Sequence, residues 1–327
     1  MTTRRGLTRG LLAGAAALAS GGRPAFADDY PTKQVKIIAP FAPGAATDTC
    51  ARIVAQGLAE RWNKPVIVEN KIGASGTIAA AAVAQSLPDG HTLLLSTIGT
   101  SATNPLVMAN VPYDTLNDFT PISLFAKVAM LVVVHPSLPF QSLGELIAYA
   151  RANPGKLNCG NAGIGSSPHL AALLFESLAK VKFEQVAYSG VAPMVPDLLA
   201  NRVNVSLGDA STFLPHVRSG ALRALGVTTA TRFEGLPEVP TVAEAGVPGY
   251  EASAWYGVVG PAKMPADIVA KLSADIAVVA GMPEVKKKLA PLAAVTVGST
   301  APEFSTFIRA EYDRWSRLIK ESGVKPS

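Results

Sequence analysis

The chain has 327 residues, 49% of them apolar, a formal charge of +5, two cysteines and four histidines. That length builds two packed domains of ordinary size; two thiols far apart in sequence make no disulfide framework, and histidines scattered without HExxH or CxxC spacing point to no metal site and no cofactor. Residues 1–27 carry Arg4, Arg5, Arg9 and Arg23 and no acid, so without that segment the charge is +1 and nothing argues for a nucleic-acid partner.

The first segment reads as an export signal. A basic end, an apolar stretch over Leu11–Ala19 and the small residues of Ala25-Phe26-Ala27 match a secretory signal peptide cleaved after Ala27. Thr3-Arg4-Arg5-Gly6-Leu7 also fits a twin-arginine signal. The apolar stretch is too short to anchor the chain, and no later one is long enough to span a bilayer, so a soluble, monomeric protein is expected.

Beyond the signal, short β-branched runs alternate with Ala/Leu-rich segments, the pattern of an α/β protein with mostly parallel sheets. Val35–Ala39 is a predicted strand, Asp48–Trp62 a helix, Val66–Glu69 a strand, Gly76–Gln85 a helix and Thr92–Ser96 a strand. After Pro121 come a strand over Ala129–Val134, a helix over Leu143–Ala152, a strand over Leu157–Gly160 and a helix over Pro168–Ala179. Val203–Gly208, Ala221–Thr228 and Tyr256–Val259 are further strands, and Ala266–Ala280 and Pro302–Lys320 are helices. Lys286-Lys287-Lys288 is the densest basic run, and a solvated helix face accounts for it. Cys50 and Cys159 are expected to be packed and unpaired.

One arrangement occurs twice. Val35–Ala39 leads through Pro40-Phe41-Ala42-Pro43-Gly44-Ala45-Ala46-Thr47 into a helix, and Leu157–Gly160 leads through Asn161-Ala162-Gly163-Ile164-Gly165-Ser166-Ser167 into another. Loops at the carboxyl ends of parallel strands are where α/β proteins bind ligands, and free amides at a helix start favour an anion. Gly and Pro are also ordinary turn residues, and Ser167-Pro168 is an ordinary N-cap followed by Pro. Two such loops, one in each half, favour a ligand site.

The chain resembles the substrate-binding receptors of tripartite tricarboxylate transporters, often called Bug proteins, over nearly all of its length after the signal. The resemblance is carried by Val35-Lys36-Ile37-Ile38-Ala39-Pro40-Phe41-Ala42-Pro43-Gly44, Asp48 with Ala51-Arg52, Pro65-Val66-Ile67-Val68-Glu69-Asn70, and Pro112-Tyr113-Asp114. Asp118-Phe119-Thr120-Pro121-Ile122, Asn153-Pro154-Gly155-Lys156-Leu157, Gly163 with Gly165-Ser166-Ser167 and His169-Leu170, Val239-Pro240-Thr241 and Trp255 continue it in the same order. It implies a two-lobed periplasmic binding protein fold of type II, with a ligand cleft between lobes made of residues 28–128 plus 252–327 and residues 129–251. It also implies a periplasmic receptor for a small carboxylate, held by backbone amides, hydroxyls and water, that serves the membrane subunits of such a transporter and does no chemistry. The family commonly has Gly-Gly where this chain has Gly44-Ala45, and a methyl at Ala45 restricts positive φ. It also often has a lysine where this chain has Ser189.

On that footing Phe41, Ala42, Gly44 and Ala45 supply amides and an apolar wall on one side of the ligand, Ser96 and Thr97 add hydroxyls, and Gly163, Ser166 and Ser167 form the opposing anion site. His169 is either a ligand contact or a capping or core histidine. Asp48 braces its loop by accepting amide bonds or, for a ligand with an ammonium group, pairs with it; Asp209 stands in the same position. Two rival functions fit less well. A serine hydrolase using Ser166 or Ser167 with His169 lacks the G-x-S-x-G elbow, and the spacing of Gly160, Gly163 and Gly165 matches no nucleotide loop. A sensor of the same fold that feeds a membrane signalling protein is an alternative to transport.

Overall fold

The computed structural model describes residues 30–323. The expected export signal and cleavage after Ala27 fall outside the described residues. The first half of the chain runs β1 (Val35–Ala39), α1 (Ala46–Trp62), β2 (Val66–Asn70), α2 (Thr77–Ala84), β3 (Thr92–Thr97), α3 (Asn104–Val107), β4 (Phe119–Val128), β5 (Met130–Val134) and α4 (Leu143–Ala152). It continues through β6 (Asn158–Asn161), α5 (Ser167–Ala179), β7 (Glu184–Ala187), α6 (Val191–Leu199), β8 (Val205–Asp209), α7 (Ala210–Arg218) and β9 (Arg223–Val227). β10 (Ala254–Pro261), α8 (Ala266–Gly281), α9 (Pro283–Leu289), β11 (Ala294–Thr296) and α10 (Ala301–Ser322) complete it. No helix among the described residues is long and apolar enough to cross a membrane.

The strands form two sheets, ordered β11-β4-β10-β3-β1-β2 and β7-β6-β8-β5-β9. Both are mixed rather than mostly parallel. β1 runs parallel to β2 and β3, and β6 parallel to β7 and β8, as strand–helix–strand units require. β10 is antiparallel to β3 and β4, and β5 is antiparallel to β8 and β9. The opposed strands are those at the crossings: the chain leaves the first sheet on β4, enters the second on β5 with only Ala129 between them, and returns on β10. A strand arriving from the neighbouring sheet is not bound to follow the direction of the local units.

Ala129 is fixed on both sides, its amide donating to Ala293 O (3.1 Å) and its carbonyl accepting from Ala210 N (3.0 Å). The second crossing is tied to the first, because Thr228 donates through both its amide and its hydroxyl to Met130 O. One apolar core lies within the first sheet's layer and one within the second's, while a third joins Ile38 and Leu94 to Val132, Leu174 and Trp315. α10 carries that junction. A capping box of Thr300 and Glu303 starts it, its Glu311 accepts the indole N–H of both Trp255 and Trp315 at 2.9 Å, and its length lets it pack on β4 and on α5. Cys50 on α1 and Cys159 on β6 are buried and unpaired, in separate sheet layers.

Candidate functional site

The carboxyl ends of β1 and β3 from one sheet and of β6, β7 and β8 from the other point at a common cleft of about 500 Å³. Its walls include Phe41, Ala42, Ala45, Thr97, Gly163, Ser166, Ser167 and Asp209 from the sequence expectation. Gly44, Asp48, Ser96 and His169 do not line it. Each of the four is accounted for by a supporting role.

Asp48 is buried in the first turn of α1, where it accepts from Gly44 N (2.9 Å), Arg52 Nε (2.9 Å) and Asn70 Nδ2 (2.9 Å). Burial disfavours its charge, but the bonds from Arg52, Gly44 and Asn70 outweigh that and hold its carboxyl below the usual range. Asn70 also donates to Phe41 O (2.8 Å), so the loop is gripped at both ends. Gly44 therefore spends its amide on Asp48 rather than on a ligand. Its φ of +84° is the left-handed conformation that glycine tolerates. Ala45 donates to Ala42 O, and its φ of −66° is ordinary, so its methyl imposes no backbone strain.

The donors on this side are the next amides along. The first helical bond of α1 runs from Thr49 N to Ala45 O, and no side chain caps the helix, so the amides of Ala46, Thr47 and Asp48 have no partner among the described residues. Thr47 adds a hydroxyl that is buried and without a hydrogen bond. A buried polar atom left unpaired costs about 1–3 kcal/mol. Its place on the wall of the cleft gives it a reason to be there.

The second helix start is more fully committed. Gly163 N donates to Asn161 Oδ1 (2.9 Å), Ser166 donates to Gly163 O through both its amide (3.1 Å) and its hydroxyl (2.6 Å), and Gly165 N donates to His169 Nδ1 (3.1 Å). Ser166, not Ser167, is the N-cap, accepting from His169 N. Among the described residues the amides of Ile164 and Ser167 and the hydroxyl of Ser167 have no partner. His169 is buried and braces the loop; burial, aided by the charge of Lys182, pushes its pKa down to about 4, which keeps the imidazole neutral and able to accept at Nδ1. Ser96 is wholly buried, bonded to Thr97 O, Thr100 and Ser101, and shapes the turn behind Thr97.

Several lining residues carry little local sequence signal: Thr47, Ile72, Ser75, Asn104, Ser189 with Gly190, and Tyr256. Ser189-Gly190 follows a strand as the two recognised loops do, so the same pattern could have found it. Tyr256 lies inside β10 and is brought to the cleft only by the crossing. Burial, with the charge of Asp209, raises its phenol far above the usual range. No lysine, arginine or histidine lines the cleft among the described residues. A second groove of about 590 Å³ beside α8 and the start of α10 is walled by Met264, Val269, Ala277 and Pro302 and offers no comparable array of donors.

Two sheets joined by paired crossings, with unpaired helix-start amides facing the cleft between them, define a receptor that takes a small ligand into that cleft. The chain belongs to the tripartite tricarboxylate transporter family receptors, whose family model matches residues 50–324. It is 36% identical over 307 residues to protein BugT of Bordetella pertussis, covering 92% of this chain and 93% of that one. The structure is similar to that of R. palustris Rpa4515, solved with adipate, at a TM-score of 0.81 and 38% identity, covering 91% of this chain and all of that one. It is also similar to MatC of Rhodopseudomonas palustris, solved with bound malate, at a TM-score of 0.76 and 31% identity over 89% of this chain and all of that one.

Proposed function

We propose that the protein is a periplasmic receptor, starting at Asp28 after signal cleavage, that captures a small carboxylate and presents it as a monomer to the membrane subunits of a tripartite tricarboxylate transporter. The observation that carries the reading is the start of α1, where the unpaired amides of Ala46 and Thr47 and the orphan Thr47 hydroxyl stand on the wall of a cleft that no basic side chain among the described residues lines. Residues 28–128 with 252–327 would form one lobe and 129–251 the other, turning about Ala129 and the return into β10. Hydrogen bonds to an ionised group contribute about 1.5–3 kcal/mol each, and a micromolar complex needs about 8 kcal/mol net. Two amides and a hydroxyl on one side, with the Ser167 amide and hydroxyl on the other, reach that sum and, toward the upper end of the range, leave room for the cost of closure. The adipate and malate held by the two similar receptors support the same ligand class.

A thermal-shift screen of mono-, di-, tri- and aromatic carboxylates tests the reading, since a ligand that binds only the folded state raises the melting temperature. At least one class should stabilise the protein. A screen in which none does so would overturn the proposal. A hydrolase reading is disfavoured by the committed loop atoms: the Ser166 hydroxyl donates to a carbonyl and His169 Nδ1 accepts an amide, with no acid among the described residues bonded to the imidazole.

A further inference from the structure

Asp209 ends β8 and stands at the N-cap of α7, where an aspartate ordinarily accepts from the helix's own first amides; here it makes no such bond. Its carboxyl has no hydrogen bond or ion pair to any described residue and lines the cleft. The elements around it bring no cation. β5 places Met130 opposite it, the start of α6 brings Gly190 and Val191 to the same wall, and β10 brings Tyr256, the only other titratable side chain on the lining among the described residues. No side chain among the described residues therefore balances its charge, and burial pushes the carboxyl up to about 6. The cleft thus combines a wall of amide donors built for an anion with one unpaired acid. The two halves make opposite demands on whatever enters.

We infer, resting on the reading that a carboxylate is held at the start of α1, that Asp209 sets ligand choice by requiring the far end of the ligand to bring a proton, as an ammonium, a hydroxyl, or a carboxyl that takes up a proton on binding. An ammonium group would leave Asp209 ionised and pair with it. A second carboxylate would put two like charges in a partly desolvated site, and one of them must be neutralised. The signs of the two cases differ. With a dicarboxylate the shared proton is held more tightly in the complex than in the free protein, so affinity is greatest below about pH 6 and falls by up to about tenfold per pH unit above it. With an ω-amino acid the ionised form of Asp209 is favoured in the complex, so affinity is level above that pH and weakens below it.

Calorimetry at about pH 6.5 and about pH 8.5 separates these cases, because simple dicarboxylates are fully ionised and amines fully protonated across that window. The probes are succinate, glutarate and adipate, set against γ-aminobutyrate, δ-aminovalerate and ε-aminocaproate. Dicarboxylates that bind should do so about tenfold or more tighter at the lower pH, with uptake of a proton seen as a dependence of the heat on buffer ionisation enthalpy. The ω-amino acids should show neither effect. Asp209→Asn should flatten the dicarboxylate profile and move the preference about tenfold or more toward the dicarboxylates. Should that variant fail to fold, proton uptake by the unaltered protein decides the matter alone. A dicarboxylate that binds with the same affinity at both pH values and without proton uptake overturns the inference while leaving carboxylate capture standing. Failure of every carboxylate in the thermal screen removes the underlying reading, and this one with it.

Discussion

The two helix starts that face the cleft share a strand–loop–helix pattern and are braced by different means. The loop before α1 is held from outside by Asp48, which gathers the Gly44 amide, Arg52 and Asn70, and the amides of Ala46, Thr47 and Asp48 are left bare. The loop before α5 is held by its own atoms: Asn161, Gly163, Ser166 and His169 consume three of its amides and a hydroxyl, leaving Ile164 and Ser167. A serine N-cap satisfies its helix and thereby removes donors from the ligand. An uncapped start does the reverse, and its cost is recovered when an anion arrives. On the proposed reading the first start would be the main grip and the second the closing contact. Thr103 Oγ1, which donates to Gly165 O (3.1 Å), already joins the two sides.

Changes at the two starts can break this division. Ser167→Asp puts a negative charge beside the free donors of the second start, and an acid in the first turn of a helix suits the helix itself. Carboxylate affinity should fall by about a hundredfold or more in calorimetry while the melting temperature without ligand holds, since like charges in a desolvated cleft exceed the ~1.4 kcal/mol of a tenfold change. Unchanged affinity would show that the anion does not reach the second start. Asp48→Asn should lower stability to urea by about 2 kcal/mol at neutral pH, because it weakens the charge-assisted bonds that fix the first loop. The folded carboxyl titrates below its ordinary range, so its stabilisation is complete above about pH 4 and is lost as pH falls through the folded value; the gap between variant and parent should close in acid. A gap independent of pH would mean that Asp48 acts by shape rather than charge. Thr47→Val should separate binding from folding, raising stability by about 1 kcal/mol as an unpaired buried hydroxyl is removed and weakening carboxylate binding about tenfold. If both properties move the same way, Thr47 is a packing residue.

Both loops were legible because Gly, Pro and Ser between a β-branched run and an Ala-rich one mark a strand–turn–helix junction. Which amides remain free was not legible, since that depends on partners distant in sequence. Gly44 is the clear instance: its residue type suggested a ligand donor, and Asn70 and Asp48 together decided otherwise. Asp48 and His169 could be read as ligand contacts or as braces, and only their hydrogen bonds separate the two. Prolines hid other elements. Pro121 obscured β4, where it is tolerated because β11 pairs only with the far end of that strand, from Ala126 to Val128. Pro196 and Pro215 masked α6 and α7. The sequence pattern suggests mostly parallel sheets because β5 and β10 look like any other strand locally, and only the crossings reverse them to make both sheets mixed. Tyr256 reached the cleft by the same route.

The smallest effect is expected from the most charged surface. Lys286, Lys287 and Lys288 lie on the short helix α9, and Lys288 Nζ donates to Gln56 Oε1 (2.8 Å) on the outer side of α1, away from the lining of the cleft. Changing all three to glutamine removes three positive charges from a chain whose formal charge is +5, a larger change in overall field than any single substitution above. If long-range attraction held the anion, affinity would drop and grow more sensitive to salt. If the bare amides of α1 hold it, exposed charges beyond a screening length contribute little, and calorimetry in physiological salt should find the affinity within about twofold of the parent. A large loss would move the anion away from the helix starts, and the contrast between the two loops would then describe how the loops fold and not how they bind.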